Sequence, residues 1–124
     1  MVVIRMAKIL AVKTIAAQTR KSMQALGVYK SEFEPIIYIY ADMKRQYDIL
    51  NERFEKTDYR FSVETVQGVK KAPIVTTLES LRKDLIAYCV QLGLTPAGLK
   101  KMKDAALDDK RPKSALERML NETQ

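Results

Sequence analysis

PIIYIYADMKRQYDILNERFEK, residues 35–56, is the stretch that decides the fold. Ile36, Tyr40, Met43, Tyr47, Leu50 and Phe54 recur in it at intervals of 4, 3, 4, 3 and 4, the spacing that stacks side chains along one side of an α-helix. Its start is signalled near residues 32 to 35. Ser31 and Glu34 have the spacing of a capping box, and Glu34 can instead be the cap with Pro35 in the first turn. A second seam follows, with Leu78, Leu81, Leu85, Tyr88 and Leu92 at intervals of 3, 4, 3 and 4 on a helix that starts just after Pro73. Two long helices with matching apolar seams pack on each other, antiparallel, as a helical hairpin core. Tyr40, Tyr47 and Tyr88 lie on these seams, which makes them core or interface rather than a platform for stacking bases.

Outward from this pair, residues 57–73 are too long for a bundle turn. Tyr59, Phe61 and Val63 alternate ahead of Gly68, so the segment is either a long loop or a small β-hairpin. Arg60, Lys70 and Lys71 make it a candidate contact element. Upstream, a first helix is expected from about residue 3 to Leu26, closed by Gly27. Its apolar residues fall on more than one side, which suggests more than one neighbour, either within the domain or across subunits. Downstream, Leu92-Gly93-Leu94-Thr95 is a tight joint, and Thr95 with Pro96 reads as an N-cap and first helical position of a short helix to Ala106. Asp108 to Lys113 reads as a linker, because Pro112 and dense charge break the periodicity. Ser114 and Glu117 repeat the capping-box spacing, with Leu116, Met119 and Leu120 as a small apolar patch suited to docking. The fold class is mainly α, organised as residues 1–107 and a basic linker and tail at 108–124.

Lys and Arg number 22 against 15 Asp and Glu, a net charge of +7 that points to a polyanionic partner, nucleic acid or anionic membrane. Residues 1–30 carry Arg5, Lys8, Lys13, Arg20, Lys21 and Lys30 with no acid, so the first helix is the electropositive element. Lys100, Lys101 and Lys103 form a second basic cluster after the joint. That corner reads either as a helix-turn-helix presenting lysines to DNA or as a plain corner with solvated lysines. The basic start has the charge of a transit peptide, yet charges interrupt it too often for a membrane span and it has no signal-peptide core. A membrane-surface helix is the alternative, disfavoured by the lack of one clean apolar face.

With no histidine and a single cysteine, Cys89, histidine-based catalysis, Cys–His nucleophiles and ordinary zinc sites are excluded, and no metal or cofactor is expected. A lone cysteine suits a reducing cytoplasm. Gly93 to Lys100 only superficially resembles a phosphate loop, with lysine one place late and Pro96 inside it. Asp48, Glu52 and Glu55 read as the wet side of the second helix, with Arg45 and Lys56 to pair with them. The chain is therefore read as a binding protein, not an enzyme.

Tyr40-Ala41 within a helix, then Gly68 leading to Pro73, then Leu92-Gly93-Leu94-Thr95-Pro96 is an order that resembles the small terminase subunits of tailed phages and prophages, over about residues 20–105. This chain has Ala72 where that family usually has Asn, and Leu99 where it commonly has Arg. A role of that arginine would here fall to Lys100 or Lys101, or be absent. The resemblance implies a non-catalytic, ring-forming homo-oligomer in the cytoplasm of the bacterial host. Such a protein recognises double-stranded viral DNA at the start of packaging and delivers it to the terminase large subunit, which carries the ATPase and nuclease. On this reading Arg5, Lys8, Lys13, Arg20, Lys21, Lys100, Lys101 and Lys103 are the candidate DNA contacts, the two apolar seams serve core and oligomerisation, and no membrane is involved. The competing readings are a small dimeric helix-turn-helix regulator and a structural connector that never touches DNA.

Overall fold

A computed structural model describes residues 9–110, with side chains to Asp108. Four α-helices and one β-hairpin follow in chain order: α1 Val12–Leu26, α2 Glu34–Lys56, β1 Ser62–Thr65, β2 Gly68–Lys71, α3 Pro73–Gln91 and α4 Pro96–Lys110. A single 3₁₀ turn, Ser31–Phe33, leads into α2.

The first helix begins at Val12, not near residue 3, and residues 9–11 are non-helical. Ala11 is extended, at φ −68° and ψ 155°, and the carbonyl of Leu10 accepts a 2.8 Å hydrogen bond from Arg45 Nη1 on α2. That carbonyl is thus turned toward the neighbouring helix instead of into a helical ladder. The expected start at residue 3 lies outside the described residues. At the other end Gly27 is left-handed, at φ 76°, and its N–H and that of Val28 return to the carbonyls of Gln24 and Met23, as a glycine-closed helix end should. Within 12–26 the buried side chains are Ile15, Ala16, Thr19 and Met23, one stripe, with Val12 and Leu26 partly buried against the same core. Thr19 is buried at no polar cost, because its hydroxyl donates to the Ile15 carbonyl at 2.8 Å.

The capping box at Ser31 and Glu34 does not form. Ser31 donates to Glu32 at 3.0 Å, while Glu34 accepts from Arg20 Nη2 and Nε at 2.6 and 2.9 Å and from the Tyr29 hydroxyl at 2.9 Å. A guanidinium offers two charge-assisted bonds where the cap offers one neutral N–H, and it wins. Pro35 sits in the first turn, as the second reading had it, but the cap position falls on Phe33 and Glu34 is already helical.

Helix α2 has two packed sides. Its most buried residues near the N-terminus, Ile37 and Ala41, are one position off the seam and belong with Ile15, Ala16, Met23, Val28 and Leu92 in one core cluster. The seam itself, Ile36, Tyr40, Met43, Tyr47 and Leu50, is half-buried, and Phe54 alone of it is buried. It meets α3, which turns in Leu78, Leu81 and Leu85. The contacts Tyr40–Cys89 and Tyr47–Arg82 advance along α2 as they retreat along α3, so the pair is antiparallel as expected. The deepest core, however, lies between α1, α2 and the corner. Full burial of a side chain such as Ile37 or Leu92 contributes about 1.5–3 kcal/mol, and both are 0% exposed.

Of the two readings of 57–73, the hairpin is realised. Its strands are antiparallel with Ser62 opposite Lys71, Val63 opposite Lys70, Glu64 opposite Val69 and Thr65 opposite Gly68. Phe54 anchors its base through edge-on contacts to Tyr59 and Phe61, at 5.4 and 6.0 Å between centroids. Lys71 adds a 2.9 Å ion pair to Glu79 on α3. All eight strand residues are exposed, so the hairpin stands off the helices as an arm.

The joint into α4 follows expectation. Gly93 is left-handed at φ 73°, and Thr95 caps α4 by accepting the Gly98 N–H at 3.0 Å. Gly98 lies against α3 so closely that a Cβ there would overlap the Val90 carbonyl. The helix does not stop at Ala106 but continues to Lys110, through residues expected to be linker, because nothing before Pro112 breaks it.

Candidate nucleic-acid interface

A helix whose exposed side holds cations and no anions is the simplest way for a protein to meet phosphates, since the charge needs no sequence-specific geometry. Helix α1 contains no acidic residue. Its buried stripe turns Lys13, Thr14, Ala17, Lys21 and Gln24 outward, all exposed. Lys13 and Lys21 are about 12 Å apart along the axis, and neither forms an ion pair among the described residues.

Arg20 stands differently. It is partly buried, and its guanidinium is committed to Glu34 in the fork geometry described above, with side chains 28% and 32% exposed. The hydrogen bond to Glu34 dominates its environment and raises its pKa further, while the Arg20 contact chiefly holds the Glu34 carboxyl below its usual range. Tyr29 is pushed up, first by its bond to the same carboxylate. Arg20 thus fastens α1 to the start of α2. Arg5 and Lys8, the other two candidates of the first thirty residues, lie outside the described residues, as do Leu116, Met119 and Leu120 of the tail.

On α4, Lys100, Lys101 and Lys103 are all exposed, while Met102 and Gly98 face inward. Lys103 lines a groove between α4 and the α1–α2 connection, together with Gly27, Val28, Lys30, Phe33, Met102 and Ala106. Lys30 thereby joins the α4 lysines although it lies 73 residues upstream of Lys103. Nothing periodic links these two positions, so only packing could reveal the pairing.

The seam tyrosines are engaged between helices. Tyr40 accepts from Cys89 Sγ at 3.6 Å, and burial pushes its hydroxyl pKa up, with Cys89 adding to the effect. Tyr47 accepts from Arg82 Nε at 3.4 Å, and that guanidinium lies 5.7 Å from its ring. Neither ring is free to stack a base. Among the acids of α2, Asp48 pairs with Lys44 at 2.5 Å and Glu52 with Lys56 at 3.2 Å, four residues apart in each case, while Arg45 serves Leu10 instead. On the arm, Lys70 donates to Gln67 at 3.0 Å, and Arg60 is exposed.

Among the described residues, no cluster of three or more acidic, cysteine or histidine side chains could hold a metal ion, and no helix is long and apolar enough to cross a membrane. A family model described as phage terminase, small subunit, matches residues 14–109. No curated protein and no solved structure matches the chain.

Proposed function

Because the chain belongs to the phage terminase small subunit family, whose role is in phage packaging, we propose that it binds double-stranded viral DNA at the start of packaging and delivers it to the terminase large subunit. The observation that carries this is the acid-free outer side of α1, with Lys13 and Lys21 free of ion pairs among the described residues. Lys100, Lys101 and Lys103 on α4, joined by Lys30 across the groove, are the second set of phosphate contacts. The protein does this without catalysis of its own, as a closed ring of identical subunits.

Phosphate contacts of this kind release counterions, so affinity falls steeply with salt, with a log–log slope of about −0.9 per phosphate neutralised. Fluorescence anisotropy of a labelled duplex, titrated from low to physiological salt, tests it. Affinity that does not change with salt would sink the electrostatic mechanism. Footprinting tests the packaging role against a dimeric regulator. An extended or wrapped footprint supports packaging, and a short symmetric one supports the regulator.

A further inference from the structure

Nine large apolar side chains are exposed among the described residues, and five of them, Tyr59, Phe61, Val63, Val66 and Val69, fall on the arm or its stem. Val66 at the tip is 106% exposed and Phe61 66%. Beyond the ring contacts at its base and the Lys71–Glu79 pair, the strand faces have no cover among the described residues. A hairpin so placed is marginal in water, and an apolar tip with two open edges invites a partner. Val63 and Lys70 are cross-strand partners, so they share one face with Phe61, and a cation sits beside the apolar residues there.

A second open surface lies on α2. Ile39, Asp42, Gln46, Ile49 and Arg53 occupy a sector of about 80° between the sides that meet α1 and α3, with Tyr38 at its edge, where its side chain also hydrogen-bonds Arg20 on α1. Tyr38 is 44% and Ile39 48% exposed, and the exposed Asp42 carboxylate accepts only from Gln46, at 3.0 Å, among the contacts described. This patch is apolar with an anion beside it, the complement of the arm. The arm of the same molecule does not reach its Tyr38–Asp42 end. Ile39 lies about 25 Å from the end of α2 where the arm leaves, and the arm from Phe61 to Val66 spans only about 17 Å.

We propose that the arm docks on the outward side of α2 of a second copy of this chain, with Phe61, Val63 and Val66 against Tyr38 and Ile39 and Lys70 toward Asp42. The two patches differ, so the contact is head-to-tail, the type that closes into rings when the rotation permits. The proposal rests on the oligomeric reading above and names the surfaces that build it.

The full chain is measured by light scattering behind a sizing column at physiological salt, with far-UV circular dichroism to confirm that each variant folds. The wild type is expected as one multi-subunit peak. Val63→Glu with Val66→Glu, on an exposed element, should reduce the mass to that of the 14.2 kDa monomer with unchanged helicity, and Ile39→Glu should do the same. Mixing these two variants leaves one intact arm and one intact α2 surface per pair, so dimers and nothing larger should form. Lys70→Glu and Asp42→Lys should each weaken assembly and restore it when combined. An assembled wild type with an arm variant of unchanged mass overturns the proposal and leaves the oligomeric reading standing. Unchanged mass with loss of duplex or large-subunit binding overturns it in favour of that partner. A monomeric wild type overturns both.

Discussion

Two glycines that look alike in the sequence hold different things in place. At Gly27 a Cβ would meet nothing within 4 Å and only the left-handed backbone constrains the residue, whereas at Gly98 a Cβ would collide with the backbone of Val90. Gly27→Asn should therefore lose less than about 1 kcal/mol, since asparagine tolerates that conformation. Gly98→Ala should cost about 1–3 kcal/mol or more, because a rigid carbonyl must give way. Urea unfolding of the two variants separates these outcomes, and equal losses would contradict the close packing of α4 on α3. Glu34 offers a second test. Its carboxyl is held below the ordinary 4.5, first by the hydrogen bond from Arg20, so its contribution to stability is full above about pH 4.5 and is lost as pH falls through the folded pKa. Glu34→Gln should be less stable than the wild type above pH 4.5, with the gap closing toward acid. A gap constant from pH 3 to 7 would show that the ion pair does not stabilise the fold. Glutamate three residues after serine was readable as a cap, but nothing local to that motif shows that Arg20 competes for it.

At the scale of elements, α1 and α4 divide the proposed phosphate contacts, and variants should divide with them. Lys13→Ala with Lys21→Ala should make the salt slope shallower by about 2, and Lys100→Ala, Lys101→Ala and Lys103→Ala together by up to about 3, if each lysine neutralises one phosphate. Arg20→Ala should act otherwise, loosening α1 from α2 and lowering stability. An unchanged slope in either lysine set removes that helix from the interface. The seam spacing of α2 and α3 made both helices and their antiparallel pairing legible. It did not reveal that α2 turns a second side to α1, because Ile37 and Ala41 are only two residues beside a seam of six and set no longer repeat of their own. The arm was legible as one of two options, since alternation at Tyr59, Phe61 and Val63 followed by Gly68 suits a strand pair. Its standing clear of the helices was not, because β-branched and aromatic residues usually signal burial.

For the whole molecule, assembly, DNA and the large subunit share one small surface in the function proposed above. The arm and the outward side of α2 are the proposed assembly contacts, and α1 and α4 the proposed DNA contacts. We propose that the tail after Pro112, with Leu116, Met119 and Leu120, contacts the large subunit. Truncation after Lys110 keeps α4 Pro96–Lys110, so it should weaken large-subunit binding in a pull-down while leaving assembly mass and duplex affinity nearly unchanged. Loss of the oligomer on truncation would contradict this division.

The helices, the basic and acid-free first thirty residues, the absence of histidine and the likeness to small terminase subunits could all be read from sequence, because periodicity, composition and short motifs are properties of neighbouring residues. Only the tertiary structure decided that Glu34 turns to Arg20 and not to its cap, that Lys30 meets Lys103 across a groove, and that the deepest burial lies where α1 and Leu92 meet α2. Each of these depends on how one helix is rotated and placed against another. That is set by packing between residues distant in the chain, where no local spacing reports it.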